Sequence, residues 1–129
     1  MRRAAIPPDL RAQLEQARVD TLALLRALDH ALGPHPPPAA PLAVLAETDA
    51  ECAEALWALD QPPGTLRMAA MLRDTTAALA RLPRVRQHVR DALPPPLQDR
   101  VTRLERDLRA TLDSREAYND IPGHDPQNR

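Results

Sequence analysis

The sequence predicts an all-α fold, an antiparallel up-down four-helix bundle, and three observations carry that prediction. The first is the core material. Of 129 residues 43% are hydrophobic, yet there is no Phe, one Trp (Trp57) and one Tyr (Tyr118). The apolar side chains are mostly Leu and Ala, both strong helix formers, and the β-branched and aromatic residues that strands favour are scarce. The second is periodicity. No segment alternates with period two, whereas apolar residues recur in steps of three and four, the spacing of one helix face. The third is punctuation. Fifteen prolines divide the chain into stretches of helical length, and Pro is excluded from helix interiors but accepted in a first turn.

The first helix is expected from about Pro8 to Leu32, starting at Pro7-Pro8-Asp9. Its stripe is Leu10, Leu14, Ala17, Thr21, Leu24, Leu28 and Ala31; Leu22, Leu25 and Leu32 widen it to the broad face of a globular bundle. Gly33-Pro34 ends it. His35 to Ala40 reads as a stiff, extended connector. The second helix is expected over Pro41 to Asp60, with the stripe Leu42, Leu45, Asp49, Cys52, Leu56 and Leu59. Asp49 stands in an apolar row, and two placements are open. It is a buried carboxylate with a dedicated partner, since burying a lone charge is costly. Or the helix is rotated, with Ala46, Ala50, Ala53 and Trp57 inward and Asp49 at the rim. Cys52 reads as a small buried apolar residue.

Gln61 to Gly64 is a turn, and Thr65 suits the N-cap of the third helix. The third stripe is Met68, Leu72, Thr75, Leu79 and Leu82; it is interrupted at Pro83 and resumes at Val85, Val89 and Ala92. That pattern is either one kinked helix or two helices meeting at Pro83. The last helix should span Pro95 to Asn119. Its row Leu97, Val101, Leu104, Leu108, Thr111, Arg115, Tyr118 is apolar for four positions and polar for three. Asp99–Arg103 and Glu105–Arg109 are expected as i,i+4 pairs on its outer face. Residues 1–119 form a single domain, and 120–129 are too polar to pack and are expected to be disordered. Short connections make successive helices antiparallel neighbours.

Composition narrows the function classes. The formal net charge is −1, and every Lys-or-Arg position is Arg. A nearly neutral chain is not, as a whole, an electrostatic nucleic-acid binder. One Cys cannot form an internal disulfide. The N-terminus is no secretory signal, and no apolar run reaches the roughly 18–20 residues that span a bilayer. A soluble, cytoplasmic protein is expected, reaching a membrane only through a partner. Catalysis has little support. Three glycines cannot make a Gly-rich phosphate loop, Glu-x-x-His pairs are absent, and Ser114 has no neighbouring His to serve as base. His30, His35, His88 and His124 are scattered. No catalytic residue, metal or cofactor is expected. The chain reads as a non-enzymatic bundle that works through protein contacts or self-association.

Two clusters stand out as candidate sites. Arg81, Arg84, Arg86 and Arg90, with His88, surround Pro83. They suit phosphate contacts, in a phosphate- or nucleic-acid-contacting protein. Alternatively they neutralise the acidic second helix (Glu47, Asp49, Glu51, Glu54, Asp60), within the bundle or across a dimer. The stacking aromatics of single-strand binders are missing. The second cluster is a polar, inward-facing set: Asp49, Arg115, Tyr118 and Asn119. A buried Tyr hydroxyl and a buried guanidinium each need a partner, and an Asp49–Arg115 pair inside the bundle would provide one.

The stretch Leu104-Glu105-x-x-Leu108-x-Ala110-Thr111, followed by Arg115-x-x-Tyr118-Asn119-Asp120, resembles the last long helix of the LemA family. That family carries a similar Leu-x-x-x-Leu-x-x-Thr-Glu stretch and then Arg-x-x-Tyr-Asn. The resemblance covers about 16 residues. It implies a helical bundle of no established biochemical activity, usually anchored by an N-terminal transmembrane helix. The present sequence departs from the pattern. Leu112 replaces the family's Glu, about one turn is missing before Arg115, and Pro122 ends the helix before a second Tyr-Asn.

Overall fold

The computed structural model describes residues 8–60 and 65–119, with side-chain surroundings for 8–60 and 70–112. Four helices follow one another: α1 Leu10–Leu32, α2 Ala39–Leu59, α3 Thr65–Asp91 and α4 Pro95–Asn119. No strand occurs among the described residues. The tail and the turn at 61–64 lie outside them. With 21 to 27 residues each, the helices span roughly 30–40 Å. They form an antiparallel four-helix bundle. α1 packs most extensively on α4 and α2 on α3; α1 also touches α2 and, across the diagonal, α3. The α3/α4 seam is the thinnest, and α2 and α4 do not touch among the described residues.

Local chemistry sets the helix ends. Gly33 closes α1 at φ 54°, a left-handed conformation that a side chain would oppose. α2 starts at Ala39, two residues ahead of the expected Pro41. Pro41 then sits in the first turn, where its missing N–H removes no helical bond. α3 begins on Thr65 itself. Pro83 lies inside α3 without dividing it; its ring is on the exposed side, away from the packed row. Gln98 fastens the α3–α4 turn by donating to the Leu93 carbonyl at 2.7 Å.

The α1 stripe is buried along its whole length, Leu10 to Ala31. Of the residues expected to widen it, Leu32 does so, but Leu22 and Leu25 do not. Ala23 and Ala27 are buried, and Leu22 and Leu25 are exposed. The small residues fall on the side of α1 where Arg109 of α4 reaches Asp20, so the best-packed helix pair is built on alanines that permit close approach.

α2 is rotated, but opposite to the expected sense. Leu45, Thr48, Cys52 and Ala55 are buried, whereas Ala46, Ala50 and Trp57 face outward. Thr48 costs little to bury, because its hydroxyl donates to the Val44 carbonyl at 2.8 Å. Asp49 does lie at the rim.

α3 buries Thr75, Ala78, Leu82, Arg86 and Val89, and Leu93 in the turn that follows continues the row; beyond Pro83 it differs by one position from the expected Val85 and Ala92. On α4 the expected Leu97, Val101, Leu104 and Leu108 do pack on the core, but the row is rotated toward Glu105. Val101 and Glu105 are buried and Leu112 is half-buried, whereas Thr111 is exposed. Glu105 therefore does not belong to the outer face, although its pairing with Arg109 holds. The shift brings the charged row positions of α3 and α4 together.

Candidate functional site

The arginines around Pro83 do not form one patch. Successive helix positions are about 100° apart, so the cluster is divided between two faces of α3. Arg81, Arg84 and His88 are exposed, and Arg81 Nη2 meets Glu51 of α2 at 3.3 Å. Arg86 and Arg90, one turn apart, point into the bundle.

There they join a charge network contributed by three helices. Arg90 Nε donates to Glu105 Oε1 at 2.8 Å, and a second bond from Arg90 Nη2 to Glu105 Oε2 completes a bidentate pair. Arg109 Nη2 donates to Glu105 Oε2 at 3.2 Å. Arg109 Nε lies 2.9 Å from Asp20 Oδ1 of α1, but is not aligned as a hydrogen bond. Arg86 Nη2 lies 3.7 Å from Asp20 Oδ2. The order is Arg86, Asp20, Arg109, Glu105, Arg90. It alternates in sign and returns to α3, on which it began. Burial lowers the Arg86 pKa from its ordinary value; Asp20 opposes that shift, and the nearby Arg90 and Arg109 add to it.

Of the polar set read from the sequence, only Asp49 has a described side chain. Asp49 pairs with Arg18 of α1, at 3.4 Å from Nε and 3.5 Å from Nη2. The proposed Asp49–Arg115 pair involves a side chain outside the described surroundings; the partner of Asp49 among the described residues is Arg18, on a helix that α2 touches. Arg115, Tyr118 and Asn119 lie on α4, but their side chains fall outside the described surroundings. So does the second half of the LemA-like stretch, from residue 113 on. Leu104, Leu108 and Thr111 of its first half line an open groove of about 390 Å³ beside His30, Arg100 and Asp107.

The structure adds one feature that the sequence reading missed. The exposed large apolar side chains among the described residues are Leu22, Leu25, Val44 and Trp57, and all lie on α1 and α2. Trp57 is 68% exposed. On α1, Leu22 and Leu25 fall on the edge that carries Arg11 and Arg18, and these reach Asp60 and Asp49 of α2. On α2, Ala46, Ala50 and Trp57 fall just outside the same seam. Val44, seven residues before Glu51 and so on the edge of α2 that reaches Arg81 of α3, stands apart from them; Leu22, Leu25, Ala46, Ala50 and Trp57 border the α1/α2 seam as an apolar strip interrupted by Arg11 and Arg18. Glu47 and Glu54 flank it, both exposed, on a helix that has no Arg. The available signal was the composition of α2, which is apolar on its outer as well as its inner face.

No three acidic, His or Cys side chains converge as a metal site among the described residues, and no helix among them is long and apolar enough to cross a membrane. Comparison of the chain with protein-family models, curated proteins and solved structures finds no match.

Proposed function

We propose that this protein is a non-enzymatic contact module whose α1/α2 edge receives an amphipathic helix from a partner protein. The observation that carries the proposal is the exposure of Leu22, Leu25 and Trp57 beside the α1/α2 seam that Arg11–Asp60 and Arg18–Asp49 mark. Exposed apolar residues scattered singly need no explanation, but a strip along one seam marks an interaction surface. A strip between two helices, with Ala on one side, suits a third helix laid along it by its apolar face. Glu47 and Glu54 select a partner with basic residues beside that face. The LemA resemblance favours a helical bundle of this kind and adds no partner.

A phosphate-contacting role for Arg81–Arg90 is less well supported. Arg86 and Arg90 are engaged by Asp20 and Glu105, and Arg81 is shared with Glu51.

The test is calorimetric titration with two synthetic amphipathic helices, one Leu/Lys and one Leu/Glu. The Leu/Lys helix is expected to bind, and Leu22→Ser/Leu25→Ser should weaken it at least about tenfold. Equal binding of both peptides, or of neither, overturns the proposal. Light scattering on the free protein adds a further outcome. A dimer that Trp57→Ala dissociates would mean that a second copy covers the strip in place of a partner.

A further inference from the structure

Among the described residues, the network at the α1/α3/α4 junction is short of one negative charge. It holds three guanidinium groups, Arg86, Arg90 and Arg109, and two carboxylates, Asp20 and Glu105. The deficit is not shared evenly. Glu105 takes Arg90 in a bidentate pair and also accepts from Arg109. Asp20 lies 2.9 Å from Arg109 and 3.7 Å from Arg86. Arg86 is therefore the cation with the weakest compensation, and it is only 8% exposed. Its Nη1 is buried and makes no hydrogen bond among the described residues. The Thr21 hydroxyl, next in sequence to Asp20, is likewise buried and unbonded. Uncompensated charge away from water is costly, and a buried donor without an acceptor adds to that cost.

We propose that the α1/α3/α4 junction binds one small monovalent anion, of chloride type, against the Arg86 guanidinium. The charge count selects the valence. One such anion brings the network to neutrality, whereas a dianion would leave it negative by one. The junction borders the α3/α4 seam, where adjacent helices meet least. A guanidinium offers its N–H groups in a fixed fork, and the enclosure of Arg86, 8% exposed, admits a compact anion in preference to a bulky one. The site is independent of the α1/α2 strip, which lies on the opposite side of α1.

Chloride-35 line broadening tests the proposal directly on the full chain, with gluconate balancing the ionic strength. Chloride should broaden saturably in the presence of the wild-type protein, and the broadening should be lost with Arg86→Gln. It should persist with Arg84→Gln, which changes an exposed arginine of the same helix. Thermal unfolding provides a second readout. Chloride at ten times its Kd should raise the wild-type midpoint by roughly 5 °C over the gluconate control, with no such rise in Arg86→Gln. If Arg86→Gln fails to fold, Asp20→Asn decides the question. It raises the excess to two positive charges and should tighten chloride binding by about tenfold. Broadening that is absent from the wild type, or unchanged in both Arg86→Gln and Asp20→Asn, overturns the proposal.

Discussion

The α1/α2 seam and the α3/α4 seam are both tied by arginine–carboxylate pairs, yet the pairs differ in physical character. At α1/α2, Arg11–Asp60 and Arg18–Asp49 lie at the surface, with the Arg11 and Asp60 side chains 45% and 65% exposed. Water screens such pairs, and each contributes about 0–1 kcal/mol. At α3/α4, the Glu105 side chain is 4% exposed and holds two arginines. Its ions have given up their hydration, so the pairing must be complete to be tolerated. The surfaces differ in the opposite sense: the seam with weak ion pairs carries the exposed apolar strip, and the seam with the strong network buries its charge. Arginine therefore serves as a surface clasp in one half of this bundle and as core material in the other, according to the depth of its row.

The largest expected effect is at Glu105. Glu105→Gln leaves Arg90 and Arg109 inside the bundle without their carboxylate and should cost about 3–5 kcal/mol, measured by urea unfolding. A loss below about 1 kcal/mol would mean that the seam is open enough for water to screen it. Double-mutant cycles then set the two seams side by side. The Arg90/Glu105 coupling should approach about 3 kcal/mol and resist added salt. The Arg18/Asp49 coupling should stay below about 1 kcal/mol and fade as salt rises. Similar values would erase the distinction.

A smaller effect comes from Cys52, which lies on the inner face of α2. Burial pushes its thiol up to about 11 from an ordinary 9.0, and Asp49 and Glu51 add to the shift. Between those values the unfolded chain loses the thiol proton while the folded chain keeps it, so stability falls as pH rises. At pH 10 the loss relative to Cys52→Ala should be about 1 kcal/mol. Parallel pH profiles for the two proteins would show that the site is wetter than its burial implies. The smallest effect on folding is expected at Trp57. Trp57→Ala should change stability by no more than about 0.5 kcal/mol while weakening the Leu/Lys helix in the calorimetric titration. A large loss of stability would place the indole in the core and remove it from the contact strip.

Much of this bundle was legible in its sequence. The stripe from Leu10 to Ala31, the stop at Gly33 and the four-helix arrangement follow from spacing, helix-forming composition and proline placement, all of which act locally. Arg86 was legible in principle, since Thr75, Ala78, Leu82, Arg86, Val89 and Leu93 keep steps of three and four. The competing row through Val85 and Ala92 looked more apolar and took its place. What the sequence could not settle was rotation about each helix axis. Leu22 or Ala27, Trp57 or Thr48, and Thr111 or Glu105 are alternatives that differ only in which neighbouring helix lies against which edge. Those choices rest on contacts between distant residues: Asp20 with Arg109 and Arg86, Glu105 with Arg90, Asp49 with Arg18. Periodicity along one helix carries no information about the charge on another. The sequence by itself determined the helices and their apolar faces; the tertiary structure decided which charges are buried and which apolar side chains are left outside, because burial is a property of the packed neighbours and not of the residue.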